Sequence, residues 1–250
     1  MKQFRDYLLL TMLFVSFSLT VTAHDFPKVI LEGDYADPTI VRDGREYYMT
    51  HSPFYYMPGF LIWHSQDLVN WEPVSSAVPE YEGSAYAPEL IIHEGRYYLY
   101  FPSAGTNWVV WTDDVRGAWS QPIDLKLEGI DPGHVVGEDG KRYLYINDGR
   151  MIQLTDDGLA TVGELKKVYD GWQYPRHWDT EGMWLEAPKF IKRGDYYYQI
   201  SAQGGTAGPP TSHMVVVARS KSVHGPWENS PYNPLVHTYS ANDNWWSKGH

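Results

Sequence analysis

The stretch Asp37-Pro-Thr-Ile-Val-Arg-Asp-Gly-Arg-Glu-Tyr-Tyr-Met49 contains a proline, a short apolar strand, a turn with Gly44 and a tyrosine-rich strand. This order is typical of a β-hairpin, because glycine supplies the positive φ that a tight turn requires. The same order recurs in three later segments, which begin at Ala87, Asp131 and Glu186. The stretch is therefore one unit of a repeat, and the repeat indicates the fold.

The repeat unit is longer than its hairpin. Its prolines stand at 38, 88, 132 and 188, so the spacing is 44 to 56 residues. More strand sequence follows each hairpin, such as Leu61–Ser65 and Met214–Ser220, and in three units a tryptophan then leads into a fourth strand. Four antiparallel strands per unit of this length describe a propeller blade. We predict an all-β propeller with about four blades in this chain; an irregular β-sandwich is the alternative.

Composition narrows the class of protein and of ligand. The chain has 250 residues, of which 43% are hydrophobic and 20% charged, as in ordinary globular proteins. It has no cysteine, so disulfides and thiolate–metal sites are excluded. The formal charge of −11 disfavours nucleic acid and anionic lipid as partners. A neutral ligand such as an oligosaccharide or polysaccharide is easier to accommodate.

The N-terminal residues resemble an export signal. Lys2 and Arg5 precede a mostly apolar stretch at residues 7–22, and small residues follow. This pattern predicts a signal peptide at residues 1–23 and a propeller domain at residues 24–250. We expect a periplasmic or secreted protein with no membrane association once the signal is removed; a membrane anchor is the alternative.

Acidic residues recur at the head of the repeat. The head positions hold Asp37, Ala87, Asp131 and Glu186, and the last unit has one extra residue, Ala187, before its proline. The first strand of a propeller blade lies nearest the central axis, so equivalent residues should converge there. Clustered carboxylates are costly unless they bind a cation, share a proton or perform chemistry. A calcium site is one interpretation of the three acids.

Glycoside hydrolysis is the other interpretation, since it needs one carboxylic acid and one carboxylate. A third acid next to the proton donor helps to keep that donor protonated near neutral pH. In a five-fold ring Asp131 would neighbour Glu186, and Asp37 would lie farther across the axis. This arrangement favours the inverting separation of roughly 6.5–9.5 Å between base and acid.

The sequence resembles glycoside hydrolase family 43, a group of five-bladed propellers, from Asp34 to His250. The motifs that carry the resemblance are Ala36-Asp-Pro38, Ile130-Asp-Pro132, Glu186-Ala-Pro188, Gly204-Gly-Thr206, His213-Met-Val-Val-Val-Ala-Arg-Ser220, Phe54-Tyr-Tyr-Met-Pro-Gly59 and His64-Ser-Gln-Asp-Leu-Val-Asn-Trp71. The last two are similar to its β-xylosidase and α-L-arabinofuranosidase branches. The resemblance implies an inverting hydrolase of pentose-containing plant polysaccharides or oligosaccharides that requires no cofactor.

The resemblance also implies a role for individual residues. Asp37 matches the general base, Glu186 the general acid, and Asp131 the residue that tunes and orients this acid. Phe54 matches an apolar wall of the −1 sugar site, and Tyr86 stands where xylosidases usually have tryptophan.

Gly249-His250 matches a pair whose histidine lies on the axis and often helps to hold calcium or water. A structural Ca²⁺ is therefore possible. In the family a fifth blade follows this pair, so we expect the chain to be a C-terminally truncated product or a fragment, which could be inactive.

Other residues compete for these roles. Glu181 is the alternative acid, but we prefer Glu186 because it aligns with the repeat. His51, His134 and His213 lie near strand ends, where a hydrogen-bonded structural histidine is the usual case. For function, the alternatives are an endo-arabinanase and a non-catalytic carbohydrate-binding or scaffold propeller, because a fold alone does not determine function.

Overall fold

A computed structural model describes residues 29–81, 83–178, 180–205, 212–238, 242 and 247–250. The predicted signal peptide at residues 1–23 lies outside them. Leu31–His250 forms one compact unit. Within the described residues, no helix is long and apolar enough to span a bilayer.

Four antiparallel sheets of four strands follow one another along the chain. Each sheet takes its strands in sequence order, so each repeat unit forms one blade. The first two blades consist of β1 (Thr39–Asp43), β2 (Glu46–Thr50), β3 (Gly59–Ser65), β4 (Glu72–Val78), β5 (Glu89–His93), β6 (Arg96–Ser103), β7 (Thr106–Thr112) and β8 (Ile123–Asp124). The other two consist of β9 (Gly133–Val136), β10 (Arg142–Ile146), β11 (Arg150–Leu154), β12 (Thr161–Lys167), β13 (Leu185–Arg193), β14 (Tyr196–Gln203), β15 (Met214–Ser220) and β16 (Glu228–Asn229). A 3-10 turn at Asn147–Gly149 joins β10 to β11.

The first strands of successive blades lie side by side. β1 contacts β5, β5 contacts β9, and β9 contacts β13. At the last of these contacts a side chain on Gly133 would meet the carbonyl oxygen of Pro188, since a Cβ atom there would lie 1.9 Å from it. The prediction of an all-β propeller with four blades in this chain is confirmed, and the β-sandwich alternative is wrong.

The core lies between the blades. Phe60 of the first blade and Phe101 of the second are both buried, and their ring centroids are 4.6 Å apart. Leu144 of the third blade packs with Val109 of the second, and Tyr145 of the third packs against Phe190 of the fourth, with ring centroids 4.7 Å apart. Each blade therefore buries its apolar faces against its neighbours, and this packing holds the first strands around one axis.

The head positions share a special backbone conformation. Asp37, Ala87, Asp131 and Ala187 have φ values of 58°, 37°, 57° and 47°, in the left-handed region that non-glycine residues rarely adopt. Each of the four directly precedes a proline. The alignment of Glu186 with this position was therefore wrong by one residue, because Ala187 is the structural equivalent of Asp37.

A β-bulge explains how Glu186 still reaches the axis. The register between β13 and β14 shifts between Glu186 and Lys189, which marks one extra residue in β13. A bulge bends its strand and re-aims the side chains next to it. Glu186 therefore reaches the axis by a local irregularity of the fourth blade and not by exact repetition.

Candidate active site

Asp37 directly precedes the first strand of blade one and is held by two side chains. Ser52 Oγ donates a hydrogen bond to its Oδ2, and His250 Nδ1 lies 2.5 Å from its Oδ1. Burial opposes ionisation, but the hydrogen bond and positive charge of His250, together with Ser52, outweigh it and lower the pKa of Asp37. This carboxylate is thus ionised at neutral pH, as a general base must be.

Asp131 occupies the same position in blade three and is 3% exposed. His250 Nε2 donates to its Oδ2 over 2.9 Å. Burial raises the pKa of Asp131, and the charges of Glu186 and Asp37 act in the same direction, against the opposing effect of His250. Glu186 and Asp37 thus lie close enough to Asp131 for their charges to oppose its ionisation.

Glu186 lies at the bulge of β13 and is half-buried. His213 Nε2 is 3.3 Å from its Oε2, although the angles do not make a good hydrogen bond. His213 directly precedes β15 and is itself 6% exposed. The contact leaves the carboxyl group of Glu186 accessible to a ligand in the cavity that it lines.

His250 links two of the three acids. Its two nitrogens face Asp37 and Asp131, and its ring lies 4.6 Å from that of His213, centroid to centroid. Burial disfavours the charged imidazolium, but hydrogen bonds to Asp131 and Asp37 overcome this and raise the pKa of His250 to about 10. The charged ring therefore donates to both aspartates at once.

The glycine before His250 makes this position possible. A Cβ atom on Gly249 would lie 2.4 Å from the carbonyl oxygen of His213. Only glycine allows the two backbones to approach this closely.

A cavity of about 470 Å³ opens above these residues. This volume lies within the range of about 300–1,000 Å³ that is usual for small-molecule sites. Described residues that line it are Tyr35, Ala36, Asp37, Pro38, Phe54, Tyr86, Ala87, Ile130, Asp131, Glu186, His213, Ser247 and His250. All six predicted site residues therefore line one cavity.

Phe54 and Tyr86 form the wall on the side of the first two blades. The Phe54 carbonyl accepts a hydrogen bond from Ala85 N over 3.0 Å, and Tyr86 N donates to Pro102. Burial and then the charge of Asp131 raise the pKa of Tyr86, so its hydroxyl is neutral and can donate. An aromatic wall beside polar groups suits a sugar ring, which has apolar faces and a polar rim.

Two polar residues that contact the acids of the site were not predicted from the sequence. His213 was interpreted as structural, yet it lines the cavity beside Glu186. Its position at the start of a strand that carries a family motif was an available signal. Ser52 was missed because a single serine after a strand has no distinctive pattern.

The alternative candidates Glu181, His134 and His51 are not among the described residues that line the cavity. Glu181 is exposed and is not among the described residues that line the cavity. His134 accepts a hydrogen bond from Arg142 Nε over 3.0 Å, and His51 donates from Nδ1 to the Ser52 carbonyl. Both histidines thus have hydrogen-bonded structural positions.

Three residues of the site carry atoms of the kind that bind metal ions. One donor atom each of Glu186, His213 and His250 lies within 4.8 Å of the others. Calcium prefers six to eight oxygen ligands, whereas this set has two imidazoles, and both nitrogens of His250 already face aspartates. These three residues do not by themselves make a Ca²⁺ site, and no chemical step is assigned to a metal. Calcium held at His250 stays a prediction.

A comparison with protein families shows which family the chain belongs to. The family model of glycosyl hydrolases family 43 matches residues 26–250. The chain belongs to this family. The predicted resemblance is therefore confirmed.

Individual relatives of this family-43 chain have related names. It is 35% identical over 239 residues to a xylan 1,3-β-xylosidase of a Vibrio species, covering 83% of this chain and 43% of the relative. It is 32% identical over 250 residues to a non-reducing-end α-L-arabinofuranosidase of Bacteroides ovatus, covering 90% and 44%. The chain thus spans less than half the length of these curated relatives.

A solved structure supports the fold. The crystal structure of a variant of the family-43 protein BlXynB from Bacillus licheniformis matches with a TM-score of 0.76 and 29% identity, covering 87% of this family-43 chain and 45% of that protein.

Proposed function

We propose that this family-43 chain is an inverting glycoside hydrolase. The observation that carries the proposal is the convergence of Asp37, Asp131 and Glu186 in one cavity. The three carboxyl groups come from three different blades and have different surroundings: Asp37 contacts Ser52 and His250, Asp131 contacts His250, and Glu186 faces His213. Different environments allow them to take different protonation states, which hydrolysis requires.

The proposed reaction is a single displacement. Asp37 accepts a proton from a water molecule as the water oxygen bonds to the anomeric carbon. The bond between that carbon and the glycosidic oxygen breaks, and Glu186 donates its proton to the departing oxygen. Asp131 and His213 orient the acid, while His250 and Ser52 keep Asp37 ionised and fixed in place.

Inversion is part of this proposal because Asp37 and Glu186 have separate partners. Asp37 contacts Ser52 and His250, whereas Glu186 faces His213. A retaining enzyme needs its two carboxyl groups only about 5–5.5 Å apart, whereas inversion leaves room for a water molecule.

The proposed substrates are pentosides of plant polysaccharides or oligosaccharides, released by β-xylosidase or α-L-arabinofuranosidase activity. The names of the relatives support this choice. The acidic charge of the chain disfavours nucleic acid as a partner. We also propose export to the periplasm or the medium, which the N-terminal sequence supports.

Replacing the proposed acid tests the function. We expect Glu186→Gln to lower kcat on xylobiose by about 10²- to 10⁴-fold, the usual contribution of a general acid. The loss should be smaller on 4-nitrophenyl β-xyloside, because nitrophenolate departs without protonation. Glu181→Gln, an exposed glutamate five residues earlier, is the matched control and should keep full activity.

Three results would change the conclusion. Equal turnover by the Glu186→Gln variant and the unmodified protein would exclude Glu186 as the acid. Binding of xylose or arabinose oligosaccharides with no hydrolysis by the unmodified protein would instead support a non-catalytic carbohydrate-binding propeller. Release of internal arabinan fragments would indicate an endo-arabinanase.

A further inference from the structure

Ser52 occupies a fixed position between the first two blades. It lies two residues after β2 and is 1% exposed. Its N–H donates to the Ala36 carbonyl over 2.9 Å, and its own carbonyl accepts from His51 Nδ1 over 3.0 Å. The backbone of Ser52 is therefore tied both to the residue before Asp37 and to its own neighbour.

The Ser52 hydroxyl joins the heads of two repeats. The backbone N–H of Ala87 donates to Ser52 Oγ over 2.6 Å, and Ser52 Oγ lies in hydrogen-bond contact with Asp37 Oδ2. A backbone N–H can only donate, so the serine oxygen is the acceptor in the first contact. Its hydroxyl proton is then directed at the Asp37 carboxylate.

Ala87 is the one head position of the four repeats without an acid at or next to it. Its φ of 37° matches the left-handed backbone of the other heads. The second blade thus supplies a backbone donor to the site where the other blades supply a carboxyl group.

We infer that Ser52 is a positioning residue that orients the Asp37 carboxylate for catalysis by relaying the Ala87 N–H donor to it. This inference rests on the proposed hydrolase function, in which Asp37 is the base. His250 holds one carboxylate oxygen and Ser52 the other. The carboxylate plane is fixed from both sides, and each oxygen keeps a lone pair that can accept from water.

The relay also affects the charge of Asp37. The titratable groups that face Asp37 are His250, His213, His51 and Asp131. The hydrogen bond from Ser52 favours the ionised form. Loss of the hydroxyl therefore raises the pKa of Asp37 while all of the charged groups stay in place.

Ser52→Ala and Ser52→Thr test the inference. The acid limb of the pH profile of kcat/KM reports the base of the free enzyme. We expect Ser52→Ala to shift this limb to higher pH by roughly half a unit to one unit and to lower kcat by about tenfold. Ser52→Thr keeps the hydroxyl and should restore the limb to near its original pH.

The matched control is Ser65→Ala. Ser65 is a buried serine (2% exposed) whose hydroxyl donates to Asp67 over 3.1 Å, on the outer part of the same blade. Its loss should leave the pH profile unchanged. Thermal unfolding of each variant checks that the chain folds, and a ¹³C NMR titration of the Asp37 carboxyl group reads its pKa without turnover.

The outcomes separate this inference from the proposed function. An unshifted acid limb and an unshifted Asp37 titration in folded Ser52→Ala would overturn the role of Ser52, even if Asp37→Asn abolished hydrolysis. Full activity of Asp37→Asn would overturn the proposed function itself. A shift in Ser52→Ala that Ser52→Thr reverses would support the relay.

Discussion

Asp37 and Asp131 are the same type of residue, but their surroundings shift their pKa values in opposite directions. Both stand at a repeat head with a positive φ and both accept a hydrogen bond from His250. Asp37 has a second donor in Ser52, and its pKa is lowered. Asp131 is more deeply buried beside two other acids, and its pKa is raised. This difference agrees with the proposed roles, in which Asp37 is the base and Asp131 orients the acid.

His250→Gln is the residue-scale prediction. His250 favours the charged form of Asp37 through both its hydrogen bond and its charge. Its loss should raise the pKa of Asp37, so we expect the acid limb of kcat/KM to move to higher pH by about one unit. The pH dependence of pentoside hydrolysis measures this.

Exposed His224 offers the control for that experiment. His224→Gln should keep the original profile. A profile of His250→Gln that coincides with that of the unmodified protein would contradict the assigned role of the imidazolium.

Strands β9 and β10 carry a buried arginine and the histidine that accepts its hydrogen bond. Arg142, which is 2% exposed, donates to His134 Nε2 over 3.0 Å and to the Tyr100 hydroxyl over 2.9 Å. Arginine only donates, so His134 must be the neutral acceptor with its proton on Nδ1. Burial and then the charge of Arg142 lower the pKa of His134 to about 3.

The contact between His134 and Arg142 predicts that the folded protein loses stability at acid pH. The ordinary pKa of a histidine is about 6.5, whereas that of folded His134 is about 3. Between these two pH values the unfolded chain binds a proton at His134 and the folded chain does not. The free energy of unfolding therefore decreases as the pH falls through this window. In His134→Gln the amide oxygen can accept from Arg142 without titrating. We expect the loss of unfolding free energy between about pH 7 and pH 4 to shrink by roughly 2–3 kcal/mol, as measured by urea unfolding.

The same change at exposed His224 should leave the pH dependence of unfolding as it is. If His134→Gln and the unmodified protein lost the same unfolding free energy as the pH is lowered, His134 would not be the group that makes the stability depend on pH.

Much of the blade structure was predictable at the element scale. Period-two strands and turn glycines such as Gly44 are local signals, and their repetition gave the number of blades. The bulge at Glu186 was not predictable in the same way, because one extra residue can be absorbed at several places in a strand. The sequence placed Glu186 at the repeat head, and the structure assigns that position to Ala187.

At the scale of the whole molecule, apolar packing between blades brings the acids together. Asp37, Asp131 and Glu186 are separated by 94 and 55 positions in the chain, and only the closing of blades around an axis makes them neighbours. Repeat symmetry predicted that convergence. It could not predict Ser52 or His213, which reach the site from the end of a second strand and the start of a third, where side-chain direction depends on local geometry.

The anomeric configuration of the first product tests the central claim most directly. ¹H NMR during hydrolysis of a β-xyloside resolves the anomeric protons of α- and β-xylose before they equilibrate. Attack by water activated at Asp37, across the sugar from Glu186, predicts that α-xylose appears first and β-xylose only later. Initial release of β-xylose would contradict the account, because retention requires a carboxylate that attacks the sugar directly and not a water molecule activated by Asp37.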